Sequence, residues 1–101
     1  MRRYTTPTHI FNVPFDASII KKVRIVYAQN ESIILVKEGE SCECGTNQIT
    51  TKLTQEDTAL FDCKKSFTEI QAHILTHTGE SLVSKPLRVA VERCLDTEVL
   101  V

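Results

Sequence analysis

The chain has 101 residues, 42% of them hydrophobic, with 12 basic side chains against 13 acidic ones and a formal charge of −1. That length supports one hydrophobic core, and the apolar fraction can offset the roughly 100–200 kcal/mol of conformational entropy that ordering costs, without metals or disulfides. Charges of both signs are interspersed, so no basic stripe invites nucleic acid. The longest apolar run, Ile33-Ile34-Leu35-Val36, falls far short of the roughly 20 residues a membrane helix needs. Arg2-Arg3-Tyr4-Thr5-Thr6-Pro7 has no apolar stretch behind it and is not expected to act as a signal peptide. A soluble protein in a reducing compartment is expected, with Cys42, Cys44, Cys63 and Cys94 as free thiols and two disulfides as the open alternative.

Thr8 to Val13 alternates loosely between Pro7 and Pro14, residues that cannot donate to a ladder, and reads as an edge strand. Asp16 stands where an N-cap would, before one helical turn at Ala17 to Lys21. From Val23 to Gln29 the alternation is clear, and Asn30-Glu31 supplies a tight turn into Ser32 to Lys37. This second arm of the hairpin is apolar on both faces, as expected of a central strand. Cys42-Glu43-Cys44, between a polar loop and Gly45, is at most a scrap of strand. Gln48 to Leu53 alternates again, with Ile49, Thr51 and Leu53 on its dry face.

Thr54, with Asp57 three residues on, forms a capping-box pattern, so Gln55 to Phe61 is expected as a short helix whose Leu60 and Phe61 plug the core. Glu69 to Thr76 sets Ile70, Ala72 and Ile74 against Glu69, Gln71, His73 and Leu75. Thr78-Gly79-Glu80 can turn that strand back through a positive φ at Gly79. Leu87, Val89 and Val91 then alternate, and Pro86 marks an edge or a break between two strand pieces. Arg93 to Val101 is a loose tail or a partner-facing strand. Six to seven short strands with one or two short helical turns predict an all-β fold, an immunoglobulin-like antiparallel β-sandwich. One domain is expected over residues 1–95, followed by a tail at 96–101.

The sharpest chemical lure runs from Cys63-Lys64-Lys65-Ser66-Phe67 to His73 and His77-Thr78-Gly79-Glu80, which imitates the second half of a two-Cys, two-His zinc finger. It lacks the first cysteine, because positions 58 to 60 are Thr58, Ala59 and Leu60, and nine residues separate Cys63 from His73 where about twelve are needed. On a strand the two histidines also lie about 13 Å apart along the axis. Cys42, Cys44, Cys63 and Cys94 as a four-thiolate set have only one pair, with a one-residue spacer that sends both side chains to one side of a strand. A zinc-binding interaction module on these cysteines or on His73 and His77 is the alternative reading. A thiol enzyme would need Cys63 beside His73 or His77, and Lys64 and Lys65 read equally well as solvated turn residues. Gly39, Gly45 and Gly79 are isolated, so no phosphate loop exists. Phe11, Phe15, Tyr27, Phe61 and Phe67 read as core, with no basic residues interleaved for base stacking. No catalytic, cofactor-binding or metal residue is assigned, and no enzyme activity is expected.

Taken together, Thr6-Pro7-Thr8, Val13-Pro14-Phe15-Asp16, Ile20-Lys21-Lys22, Tyr27-Ala28-Gln29-Asn30, Lys52-Leu53-Thr54-Gln55-Glu56-Asp57-Thr58, Phe61-Asp62-Cys63 and Arg93-Cys94-Leu95-Asp96 resemble small uncharacterised proteins of clostridial phages and prophages. The resemblance covers nearly the whole chain and rests on turns, the capped helix and strand starts. It implies a tail or baseplate-associated β-sandwich module, located in the host cytoplasm before assembly and then with the virion. Protein partners are implied, either copies of itself or other phage subunits. The apolar Val99-Leu100-Val101 is expected to add to a neighbour's sheet.

Overall fold

A computed structural model describes residues 1–64 and 67–101. Lys65, one of the two expected turn residues after Cys63, and Ser66 of the apparent finger lie outside the described residues. The chain folds as an all-β antiparallel sandwich of two sheets. The smaller sheet joins β1 (Thr8–Asn12), β5 (Gln48–Lys52) and β4 (Cys42–Gly45) in that order. The larger runs β3 (Ser32–Glu38), β2 (Ile20–Gln29), β6 (Thr68–Thr76), with β7 (Ser81–Val83) and β8 (Leu87–Val89) both paired to β6. A short helix, α1 (Gln55–Ala59), and two 3₁₀ turns, Ala17–Ile19 and Gly39–Ser41, each sit where the chain passes from one sheet to the other.

The local chemistry explains these crossings. Asp16 accepts from Ser18 N–H at 2.9 Å and caps the first turn. Thr54 and Asp57 exchange both bonds of a capping box, at 3.1 and 2.9 Å, which satisfies two helix-end donors that would otherwise be orphaned. Asn30 and Glu31 take positive φ values of 49° and 68° in the β2–β3 turn, the twist that a two-residue hairpin demands.

Alternation fills the space between the sheets. Ile25 and Tyr27 from β2, Ile70, Ala72 and Ile74 from β6, and Ile49 from β5 are buried against Leu53 and Phe61. Each large side chain removed from water contributes about 1.5–3 kcal/mol, so this group outweighs any surface pair.

Several expectations are corrected. Ser32 to Lys37 is the outermost strand of its sheet, not a central one: β3 pairs with β2 alone, and Ile33 and Val36 are 65% and 40% exposed. Its apolar run has another cause. The register slips between Tyr27 and Ala28, whose partners are Leu35 and Ile33, so Ile34 is an extra residue that leans on the core together with Leu35. Leu60 does not plug the core; it is 57% exposed because the helix ends at Ala59 and turns only Phe61 inward. Pro86 breaks one edge into two pieces, β7 along His73 to Leu75 and β8 along Thr68 to Ile70.

Beyond β8, Ala90 to Glu92 pairs with the first residues instead of extending the antiparallel ladder. Glu92 N–H donates to Met1 C=O at 2.7 Å and Arg3 N–H to Glu92 C=O at 3.2 Å, a short parallel contact. Val91 is thereby buried. Residues 93–101 form no strand, and Leu95, Leu100 and Val101 are exposed.

Candidate functional site

The histidines of the apparent finger belong to β6 and the residue after it. His73 is exposed on the outer face, its Nε2 2.8 Å from Ser81 Oγ on β7, while His77, whose N–H donates to Ile19 C=O at 2.9 Å, stands in the turn that Gly79 N–H closes on Thr76 C=O. The extended steps from His73 to Thr76 already cover about 10 Å along the strand, and His77 lies one residue beyond, too far to share one ion.

The cysteines are scattered and unbridged. Cys42 and Cys44 lie on one face of β4, opposite the buried Thr51 and Ile49, as a one-residue spacer requires. Cys63 follows α1 and Cys94 follows the Val91 contact. Burial pushes both Cys42 and Cys44 above the ordinary thiol range, and Cys42 donates to Lys37 C=O at 3.5 Å. These two are therefore protonated, unactivated thiols at neutral pH. Among the described residues, no three His, Cys, Asp or Glu side chains gather as a metal cluster.

A polar contact inside the sandwich escaped the sequence reading. Tyr27 is fully buried, and its hydroxyl lies 2.7 Å from His9 Nδ1 across the gap between the sheets. Burial lowers the His9 pKa and raises that of Tyr27, so the bond joins a neutral imidazole to a neutral phenol. The available signal was that His9 shares the inward face of β1 with Phe11, where a lone histidine needs a partner. This one bond ties β1 to β2 across the two sheets.

What the fold does open to solvent is edges. β1 and β4 end the smaller sheet, and β3 and the β7/β8 pair end the larger. Exposed apolar side chains line these edges: Ile10 on β1, Ile33 and Val36 on β3, Val83 on β7 and Leu87 on β8.

A concave surface lies where β3 leaves its sheet. The β2–β3 ladder begins at Arg24 and Glu38, so Ile20–Val23 is paired on one side only, by β6. On its other side a groove of about 510 Å³ runs between β2 and β4, from Ile20, Lys21, Lys22 and Val23 to Cys42 and Cys44, with Glu38 and Gly39 at its end. A smaller cavity of about 280 Å³ shares Lys22, Val23 and Glu38 with it and continues over Arg24, His73 and Leu75. Glu38 accepts from Arg24 Nε at 3.1 Å, which leaves Lys21 and Lys22 to set the sign of the groove among its described lining side chains. The shape and charge of this groove suit an extended, acidic chain segment.

No helix among the described residues is long and apolar enough to cross a membrane. Comparison with protein-family models, with curated proteins and with solved structures finds no match to this chain.

Proposed function

We propose that this chain is a non-enzymatic structural or interaction module of a phage or prophage, of tail or baseplate type, that works by presenting edge strands and loops to partner subunits. The observation that carries the reading is the set of unpaired sheet edges bearing exposed apolar side chains, Ile10, Ile33, Val36, Val83 and Leu87. Native sheets usually blunt such edges with charge or proline, because an open edge templates pairing with another chain. Here the β7/β8 edge is interrupted by Pro86 and the β3 edge by the bulge at Ile34, whereas β1 runs in unbroken register along β5. The resemblance of the turn and cap phrases to clostridial phage proteins supplies the setting. In this reading the protein accumulates in the host cytoplasm and is then built into the particle.

The test is to induce a lysogen that carries the gene, purify particles and assembly intermediates on a density gradient, and quantify this chain by mass spectrometry. A fixed copy number relative to known tail subunits is expected. Absence from every particulate fraction overturns the reading.

A further inference from the structure

We infer that the groove beside Ile20–Val23 receives residues 96–101 of a second copy as an added strand, joining copies head to tail; the inference rests on the interaction-module reading above.

Three observations converge. The first is the shape of the acceptor. β2 outruns β3 by four residues, and the side of Ile20–Val23 turned away from β6 has no strand paired to it and faces the groove. Four residues of strand span about 13 Å, the length of four residues of an incoming segment. Strand addition at such an edge draws affinity from main-chain hydrogen bonds and specificity from alternate side chains.

The second is charge. Lys21 and Lys22 are exposed at the groove, and its one described acidic lining residue, Glu38, is already paired with Arg24. Asp96-Thr97-Glu98-Val99-Leu100-Val101 carries two carboxylates and no base. Period-two alternation puts Asp96, Glu98 and Leu100 on one face and Thr97, Val99 and Val101 on the other. The first face meets the lysines while the second lies over Val23 and Cys42, the apolar part of the groove.

The third is availability. Leu95, Leu100 and Val101 are 86%, 77% and fully exposed, and Leu100 is tied to its own copy by the Gln55 side chain, at 2.8 Å to both its N–H and its C=O. None of residues 96–101 lines the groove of its own copy. A donor on one face and an acceptor on another make a heterologous contact, which grows open chains or closes into rings.

The experiment is sedimentation velocity on the full chain over a range of concentrations, with the paired charge reversals K21E/K22E and D96K/E98K and with the fourfold variant that carries both. The expected result is concentration-dependent association of the natural chain that weakens with salt. Each pair alone should weaken it about tenfold and the fourfold variant should restore it, as reciprocal charges do. All four positions are exposed, and circular dichroism checks that each variant folds. A chain that stays monomeric at every concentration, or that associates equally with and without the reversals, overturns the inference. A synthetic peptide of residues 95–101 provides a second reading: shifts in the amide resonances of Lys21 to Arg24 support it, and an unperturbed spectrum overturns it. If the chain is found in particles yet fails both assays, the tail-in-groove contact falls while the structural-module reading stands. If it passes both and is absent from particles, the contact stands and the phage assignment falls.

Discussion

Lys37 Nζ lies 2.6 Å from Asp57 Oδ2, an ion pair that ties the edge strand β3 to the first turn of α1 with both side chains largely shielded from water. The same Asp57 oxygen accepts from Thr54 N–H at 2.9 Å in the capping box, so one carboxylate serves both the helix end and the inter-element contact. Burial alone would raise its pKa, but Lys37 and the Thr54 bonds outweigh it and hold the carboxyl below its ordinary 3.8. Because the folded pKa is depressed, this stabilisation is complete above the unfolded value and is lost as pH falls through the folded one. Asp57→Ala, which leaves Lys37 unpaired and removes a cap, should cost about 2–4 kcal/mol in urea unfolding at neutral pH. The penalty should shrink in strongly acidic solution.

His9 and Tyr27 predict the opposite end of the acid range. Burial, aided by the N-terminal ammonium, lowers the His9 pKa from 6.5, so the unfolded chain binds a proton that the folded chain resists. Stability should therefore decline as pH drops from about 7 through 6.5 towards the folded value. Denaturation midpoints between about pH 7.5 and 5 should show this slope in the natural chain, and His9→Gln should flatten it. Tyr27→Phe, which removes the phenol partner at 2.7 Å, should cost about 1 kcal/mol at pH 7.

Two glutamines make the same bidentate grip on backbone and should differ in value. Gln29 donates to Asp62 C=O and accepts from Asp62 N–H, both at 2.9 Å, while it is itself buried. Gln55 does the same for Leu100 at an exposed site. Gln29→Ala leaves part-buried backbone groups of Asp62 without this partner and empties a buried site, and should destabilise by about 1–3 kcal/mol. Gln55→Ala should change stability by less than about 0.5 kcal/mol while speeding hydrogen exchange at Leu100, which separates tail anchoring from folding.

Buried threonines give a matched contrast. Thr58 Oγ1 donates to Thr5 C=O at 2.9 Å and accepts from Thr5 N–H at 3.0 Å, pinning the chain ahead of β1 onto α1. Thr68 Oγ1 is buried with no hydrogen-bond partner among the described residues. Thr58→Val should lose about 2 kcal/mol, whereas Thr68→Val, which removes a desolvated hydroxyl at constant shape, should be neutral or stabilising. Thermal unfolding of the two variants side by side checks the sign.

Sequence by itself determined the strands with a regular period, the turns and the caps. Val23 to Gln29, Gln48 to Leu53 and Glu69 to Thr76 alternate because a pleated strand has a wet and a dry face, and Asp16 and the Thr54–Asp57 box act within four residues of one another, so no distant partner is needed to read them. The strand placement that separates His73 from His77 was legible for the same reason. Pro7 and Pro14 already marked β1 as an edge, but only tertiary structure decided that β3 is one. The apolar run Ile33–Val36 looks central, yet β3 pairs with β2 alone, and the bulge at Ile34 shifts its faces without changing the composition. It also decided that His9 meets Tyr27, that Lys37 meets Asp57, and that β2 outruns β3 to leave a groove between Lys21, Lys22 and Cys42. Those contacts join residues far apart in the chain, and local periodicity contains no information about how two sheets are laid across each other.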